Sequence, residues 1–231
     1  MKHILLFFLL FFACGVYTFG QRHEIGIIGG GVNYIGEVGN TQYIRPKKIG
    51  YGVIYKRNLT ARIGLRAQFL SGKFGDHDAE ASTQEQMARG LSFNNSFTSW
   101  GVGIEVNYVN LNVGDFETSW TPYLHVGFQR IVSEDIFYLP SDKTASSQGK
   151  SLTLGIPFGA GIKLNLGRFL VIAAEIQPIL TFTDNLDGSN PNMSKQPSAQ
   201  RFSTSLSSDW LVFSGISITY AFGRLPCCRD D

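Results

Sequence analysis

The chain of 231 residues contains only three cysteines, Cys14, Cys227 and Cys228. Adjacent cysteines such as Cys227 and Cys228 rarely bond to each other, because the geometry is strained. The sequence therefore excludes a fold held together by disulfides. We interpret the two adjacent cysteines as incidental or as pairing with another chain, and a metal or redox role is the alternative.

Charged residues are also scarce. They make up 16% of the sequence, against about 25% in a typical soluble domain. The formal net charge of +2 gives no reason to expect a nucleic-acid partner. Glycine and aromatic residues are abundant instead, with 26 Gly, 18 Phe and 9 Tyr. A barrel that is apolar outside and polar inside has an unremarkable mean hydropathy, and the value here is near zero.

Long apolar runs are missing beyond the N-terminus. There, Lys2 precedes an apolar block at 4–12, and Thr18-Phe19-Gly20 forms a small-x-small exit. This pattern predicts a secretory signal peptide over residues 1–20, cleaved after Gly20, because the block is too short for a spanning helix. A lipoprotein site at Cys14 is the alternative, although Phe11-Phe12-Ala13 matches that motif poorly. The mature chain is then secreted or forms an outer-membrane barrel.

Recognisable catalytic and metal-binding motifs are absent as well. The histidines beyond the signal peptide are His23, His77 and His125. These histidines are not spaced as metal ligands are, and the sequence lacks the HExxH, paired CxxC, EF-hand and GxSxG patterns. We interpret Asp76-His77-Asp78 as part of a solvated loop. The sequence thus predicts no catalytic, cofactor or metal site, and a lipid-modifying hydrolase that uses His125 is the alternative.

The chain does contain strong alternation of apolar and other residues. The segment Trp210–Phe222 alternates over thirteen residues and carries an aromatic residue at each end. Strands in soluble sheets average about 5–6 residues, whereas a tilted strand crosses a bilayer with roughly 9–11. Aromatic residues are typical of the two membrane interfaces. The segment therefore predicts a membrane-spanning strand.

Seven other segments share this alternation. They are residues 23–34, 48–56, 61–69, 92–108, 120–131, 151–165 and 169–183. Together with the last strand they predict an all-β fold, an eight-stranded antiparallel transmembrane β-barrel of the outer-membrane type over residues 21–222. Two structural alternatives remain open: ten strands, if the fourth segment divides near 95–100, and a short helix at 84–89.

The connections between these segments differ in length. Long polar connections are expected at 35–47, 71–91, 132–150 and 184–208, tight turns at 57–60 and 166–168, and an intermediate connection at 109–119. Outer-membrane barrels have short periplasmic turns and long extracellular loops. An even strand number then predicts that both termini are periplasmic, with residues 223–231 forming a periplasmic tail.

Charged residues recur on the glycine-rich face of the strands. By parity the face includes Arg62, Arg66, Glu105, Lys163 and Glu175. Charges are unfavourable against lipid but suit a polar lumen. Side chains just fill the interior of an eight-stranded barrel. We therefore predict a structural cluster of paired charges that plugs the lumen and leaves no open pore.

Several short patterns, in this order and spacing, resemble a known family. They are His23–Gly39, Tyr43–Pro46, Gly52–Lys56, Arg62–Arg66, Arg89–Asn95, Gly103–Asn107, Thr121–Tyr123, Ile156–Lys163, Thr183–Asp187 and Asp209–Phe213. Over nearly the whole mature chain, the sequence resembles the PorG-type outer-membrane proteins of the Bacteroidetes type IX secretion system. The resemblance implies binding to a periplasmic ring of the PorK lipoprotein and PorN, which serves protein export and, in some species, gliding motility. It implies no catalytic residues.

The predicted function is therefore that of a non-enzymatic outer-membrane component that anchors or organises a PorK/PorN-like ring, in contact with outer-membrane lipid. It needs no cofactor, nucleic acid or small-molecule substrate. The candidate ring-binding surface comprises 57–60, 109–119, 166–168, Gln21-Arg22 and the tail 223–231. The alternative is a generic small barrel that acts as an adhesin or surface-structural protein through its loops at 71–91, 132–150 and 184–208.

Overall fold

The computed structural model describes most of the predicted barrel. The described residues are 22–40, 42, 44–81, 83–113, 118–203 and 208–223. The predicted signal peptide with Cys14, residue Gln21, and the tail beyond Gly223 with Cys227 and Cys228 lie outside these residues.

Eight strands form one closed sheet. They are β1 (Arg22–Ile35), β2 (Lys48–Asn58), β3 (Ile63–His77), β4 (Ser92–Asn107), β5 (Ser119–Phe137), β6 (Ser146–Leu166), β7 (Leu170–Thr181) and β8 (Trp210–Phe222). Each strand pairs antiparallel with its neighbours in sequence, and β8 pairs with β1 over thirteen positions, from His23–Phe222 to Ile35–Trp210. The predicted eight-stranded barrel is confirmed, and the fourth segment forms one strand.

Among the described residues, helical structure is confined to one connection. A single 3-10 turn covers Asp78–Glu80, and helix α1 covers Gln84–Arg89. The hydroxyl of Thr83 accepts a hydrogen bond from the Gln86 N–H at 3.4 Å, and Gly90 follows the helix at φ 67°. These are the favoured residue types for a helix start and end. The short helix considered at 84–89 is thus present. In the described part of the chain, no helix is long and apolar enough to cross a membrane.

The barrel has an apolar exterior and a polar or packed interior. Ile49, Val102 and Phe128 on the outer face are 66–74% exposed, whereas Lys56 and Lys163 on the inner face are at most 1% exposed. Exposed aromatic residues ring the end with short turns: Tyr55, Tyr108, Trp120, Tyr220 and Phe222. This distribution is the reverse of a soluble protein and is the pattern of a barrel in lipid.

The interior divides into two halves along the barrel axis. Towards the short turns lie the buried residues of the charged half: Glu24, Lys56, Arg66, Gln68, Glu105, Tyr123, His125, Lys163, Glu175 and Gln177. Towards the long connections lie those of the apolar half: Ile28, Val32, Leu70, Phe74, Phe97, Ile131, Ile179, Leu211 and Phe213. Only the charged half was expected from the sequence.

The apolar half continues into a packed layer outside the barrel, here called the cap. It comprises the described residues of the connections 36–47, 78–91, 138–145 and 182–209. Val38, Leu91, Tyr138 and Leu186 of the cap belong to the same buried cluster as the apolar half. The described parts of the long connections are therefore packed, and they cover this end of the lumen.

Three strands extend further towards the cap than expected. β3 continues to His77, β5 to Phe137, and β6 already begins at Ser146. The predicted loops 71–91 and 132–150 were therefore too long. Outside the lipid the outer face carries polar residues such as Ser71 and Lys73, so the apolar alternation stops although the strand continues.

The short-turn end is partly covered. The connections there are 59–62, 108–118 and 167–169, and residues 114–117 of the middle one are outside the described residues. Leu111 and Val113 are buried against Val171 and Ala221 at the rim of the lumen. The intermediate connection thus covers part of the barrel mouth.

The pairing of β6 is interrupted on both sides near its middle. Regular pairing is lost at Pro157 towards β5, and at Phe158 and Gly159 towards β7, where Pro178 lies opposite. Proline has no N–H to donate to a ladder. A Cβ added to Gly159 would lie 2.4 Å from His125 Nε2, so glycine lets the imidazole pack directly against the wall.

Candidate functional site

Glu105 of β4 is the centre of the charged half. Its carboxylate pairs with Lys163, with Lys56 Nζ at 3.1 Å and with Arg66 Nη1 at 3.6 Å. The three cations come from β6, β2 and β3, so one carboxylate links strands on opposite walls. A buried charge is tolerated only when it is paired in this way.

A second pair lies beside the first. Arg66 donates from Nη1 and Nη2 to Glu175 at 2.7 and 2.5 Å, and the Tyr123 hydroxyl donates to the same carboxylate at 2.5 Å. Two parallel donors to one carboxylate form the strongest common ion-pair geometry. Arg66 also donates to Gln68 Oε1. The guanidinium thus fixes β3 relative to β7.

The buried charges of this half are balanced. Three cations face three carboxylates, because Glu24 adds to Glu105 and Glu175. Glu24 accepts hydrogen bonds from Asn58 Nδ2 and Thr219 Oγ1, both at 2.7 Å. Among the described residues, the buried side chains of this half therefore carry a formal net charge of zero.

The charged half leaves little free space. The cavity beside Arg66, Gln68 and His125 measures about 10 Å³, roughly the room needed for a single water. His125 is buried on the lumen side, and its Nε2 has no hydrogen-bond partner. This cavity therefore has room for about one water molecule.

Four of the five predicted cluster residues lie in this network: Arg66, Glu105, Lys163 and Glu175. Arg62 does not. β3 begins at Ile63, so Arg62 belongs to the turn, where it is exposed and donates from Nε to Asn110 Oδ1 at 2.6 Å. The alternation of inward and outward residues does not hold for Arg62, because this residue precedes the strand.

Three members of the network were not predicted: Lys56, Glu24 and Tyr123, which lie on the inner face. Lys56 could have been predicted, because it alternates with the outward-facing Tyr55 along β2. Tyr123 also lies under two ammonium groups, with Lys163 Nζ 4.9 Å and Lys56 Nζ 5.4 Å from the ring centroid. An aromatic residue does not by itself indicate a lumen position, because aromatic residues are typical of the lipid interface.

The prediction that Asp76 and Asp78 belong to a solvated loop is wrong. Both are buried in or beside the cap instead of lying in a solvated loop. Asp76 pairs with Lys47, and Asp78 accepts from Arg89 Nε at 2.8 Å and from the Gly39 and Leu91 N–H groups at 3.0 Å. They hold the cap to the barrel rim.

The cap contains a further acidic cluster. Glu37, Asp184 and Asp209 offer oxygen atoms within 4.8 Å of one another. Asp209 accepts from the Tyr34 hydroxyl and from the Leu186 N–H. Burial, and then the nearby Asp187, raise the pKa of Asp209 well above its ordinary value. The carboxylate of Asp209 is thus already occupied by two donors of the protein.

These features define a closed, eight-stranded transmembrane barrel with a sealed lumen. The chain belongs to the family described as a domain of unknown function, DUF6089, whose profile matches residues 2–230. A search of curated proteins finds no match.

Several solved barrels have a similar fold. The N-terminal β-barrel domain of Pseudomonas aeruginosa OprF has a TM-score of 0.44 and 16% identity, over 88% of this chain and 99% of that one. Yersinia pestis Ail, in complex with the heparin analogue sucrose octasulfate, has 0.44 and 13%, over 89% and 100%. Neisserial surface protein A has 0.44 and 9%, over 88% and 96%. At this level the likeness concerns shape, and the fold assignment depends on the chain's own strand order.

Proposed function

We propose that this chain is a non-enzymatic outer-membrane barrel that acts by binding at its ends. The observation that carries the proposal is the lumen, which is filled by neutralised charge in one half and by apolar side chains in the other. Such an interior leaves no path for a solute and no room for a substrate.

We further propose that the partner is a PorK/PorN-like periplasmic ring of a type IX secretion system. Support comes from the ordered residue patterns that resemble the PorG-type family over nearly the whole mature chain. One end of the barrel has short turns and the other has long connections, which supports an orientation in which the short turns and both termini are periplasmic. Where the organism glides, the same ring supports that motility.

The ring-binding surface is then the short-turn end. Its two tight turns expose Arg62 and Arg168, so an acidic patch on the ring is the complementary surface. Charge reversal at both arginines, Arg62→Glu with Arg168→Glu, should lower recovery of the ring in a pull-down from native membranes. Lys150→Glu at the cap end is the matched control and should leave recovery unchanged.

A deletion strain tests the proposal as a whole. Loss of the protein should abolish export of substrates that carry the C-terminal sorting domain, and the purified barrel should give no large, stable conductance in a planar bilayer. Normal export in the deletion strain would refute the secretion function, and a stable conductance would refute the sealed lumen.

A second candidate function is adhesion or surface structure through the cap. The observation that favours it is the ordered packing of the cap, including Tyr138 against Phe202 with ring centroids 5.7 Å apart. A deletion strain with normal export but reduced attachment would support this function. Replacement of the segment 190–203 by a short Gly/Ser linker should then reproduce the attachment defect alone.

A further inference from the structure

A groove opens between β2 and β3 on the outer face, where the apolar outer surface of the barrel meets the cap. It has a volume of about 490 Å³, and its walls include Lys47, Lys48, Ile49, Tyr51, Ser71 and Lys73. Lys48 lines the groove at the end of β2 nearest the cap, and the exposed apolar residues Ile49 and Tyr51 line it further from the cap. The groove is therefore amphipathic along its length.

The lower part of the groove is apolar and faces lipid. Ile49 and Tyr51 are 74% and 65% exposed, and they continue the outward row of Val53 and Tyr55 on β2. A surface of this kind in the membrane region contacts acyl chains. The aromatic ring of Tyr51 also suits the boundary between acyl chains and headgroups.

The upper part of the groove carries uncompensated positive charge. Lys47 is paired with Asp76 and with Glu80 at 2.9 Å, and Arg45 is paired with Glu80 at 2.9 Å, so these two cations balance these two anions. Lys48 and Lys73 are exposed, and neither forms an ion pair with any residue the structure describes. Two lysines without an ion-pair partner therefore line the same groove as the apolar side chains of Ile49 and Tyr51.

We propose that this groove binds one anionic outer-leaflet lipid, with its phosphate between Lys48 and Lys73 and an acyl chain along Ile49 and Tyr51. The inference depends on the proposed outer-membrane location, with the cap facing outward. Lysine ammonium groups attract lipid phosphates, and the occupant must also be apolar because half of the groove is. These two demands favour a phosphorylated lipid over a free phosphate ion.

Native mass spectrometry of the full mature protein in detergent tests this proposal. The probes are lipid A carrying two phosphates, phosphatidylglycerol, phosphatidylethanolamine and inorganic phosphate. We expect lipid A and phosphatidylglycerol to be retained over phosphatidylethanolamine. Lys48→Gln and Lys73→Gln should each weaken retention of the anionic lipids about fivefold, which corresponds to about 1 kcal/mol per lysine near a charged surface. The double variant should weaken it about 25-fold.

Controls separate this site from general charge effects. Lys150→Gln removes an exposed lysine at the same end of the barrel on another wall, and it should leave retention unchanged. Heat-modifiable mobility on a gel checks that each variant is folded. Equal retention of phosphatidylethanolamine and the anionic lipids, or unchanged retention in the double variant, would overturn the proposal. Displacement of lipid A by millimolar inorganic phosphate would reassign the groove to a free anion.

The experiment is also independent of the secretion ring. Density-gradient fractionation of cell membranes locates the protein, and pull-down measures the ring. Outer-membrane location with ring binding but no anionic preference would refute the lipid site alone. Location outside the outer membrane would refute the proposed function, whatever the lipid result.

Discussion

The charged and apolar halves of the lumen fill the same cylinder in different ways. In the charged half, long side chains such as Lys56 and Arg66 cross the interior and meet carboxylates from other strands. In the apolar half, residues such as Leu70 and Phe97 pack by shape and lead into the cap. One half is specified by pairing, and the other by packing.

The two kinds of filling have different energetic roles. Burial of apolar surface is favourable in itself, so the apolar half and the cap stabilise this end of the barrel. A buried ion pair recovers little beyond its cost of desolvation, but removal of one partner leaves an unpaired charge that is very costly. We therefore expect the charged half to favour one strand arrangement more than it adds to net stability.

The largest expected effect comes from breaking the charged half at its centre. Glu105→Gln should lower the free energy of unfolding by about 3–5 kcal/mol, because Lys56 and Lys163 lose their shared partner while they remain buried. Urea-induced unfolding in lipid vesicles, followed by tryptophan fluorescence, measures the change. A loss below 1 kcal/mol would show that water already compensates these cations.

A paired substitution sharpens the same test. Glu105→Met with Lys163→Met removes one charge of each sign and keeps the side-chain volume. This double variant should recover stability relative to Glu105→Gln, because replacement of a buried pair by apolar residues is often neutral or stabilising. If the double variant is no more stable than Glu105→Gln, the remaining residues Lys56 and Arg66 depend on both removed groups.

The next effect concerns the apolar half. Leu70→Ala should cost about 2–5 kcal/mol, because the side chain is fully buried and its removal leaves a cavity. Val102→Ala on the lipid face is the control, since Val102 is 66% exposed to the acyl chains. The same urea titration compares them, and equal losses would mean that packing inside the lumen is loose.

A smaller effect is expected at the wall of the charged half. Gly159→Ala should destabilise the barrel by about 1–3 kcal/mol, because the new methyl group would lie 2.4 Å from His125 Nε2 and 2.7 Å from the Ile176 carbonyl oxygen. Gly29→Ala is the matched control in another strand, since a Cβ there meets nothing within 4 Å. The prediction fails if the two alanine variants unfold at the same urea concentration.

The smallest effect is a pH dependence confined to the cap. Burial and Asp187 raise the pKa of Asp209 in the folded state, so the folded state binds this proton more firmly than the unfolded state. The associated stability is complete below the ordinary carboxyl pKa, and it is lost as the pH rises through the folded pKa. The cap should therefore loosen as the pH rises from about 4.

Asp209→Asn should reduce this pH dependence. An asparagine can still accept from the Leu186 N–H and can donate to the Tyr34 hydroxyl, but it carries no charge. Fluorescence of the adjacent Trp210 during thermal unfolding at pH 4.5 and 8 measures the slope. The wild type should lose more stability over this interval than the variant, and parallel losses would assign the dependence to other groups.

The barrel itself could be predicted because lipid favours apolar residues and the lumen favours polar or small ones, and these two kinds of residue alternate along each strand. The predicted strand Trp210–Phe222 has the same first and last residues as β8. The cap end could not be predicted in the same way, since beyond the lipid β3 and β5 keep their hydrogen-bond ladders without an apolar outer row. Apolar alternation reports the membrane contact and not the length of the strand.

The candidate site was predictable where parity was applied within a strand. Arg66, Glu105, Lys163 and Glu175 follow from alternation alone. The apolar half was not foreseen, because inward-facing Phe74 and Phe97 and outward-facing apolar residues have similar hydropathy. The burial of Asp76 depends on Lys47 from another connection, and that of Asp78 on Arg89 at the far end of its own connection, and no local pattern brings these groups together.

The seam between the first and last strands has a consequence for assembly. The pairs between β1 and β8 join residues 175 to 199 positions apart, and the Tyr34–Asp209 hydrogen bond spans the same seam at the cap. Contacts between distant positions form slowly, because a long loop must close first. Until β8 arrives, β1 presents an open edge that could pair with a foreign strand. Transit of the unclosed chain to the membrane is therefore the stage at which a chaperone matters most.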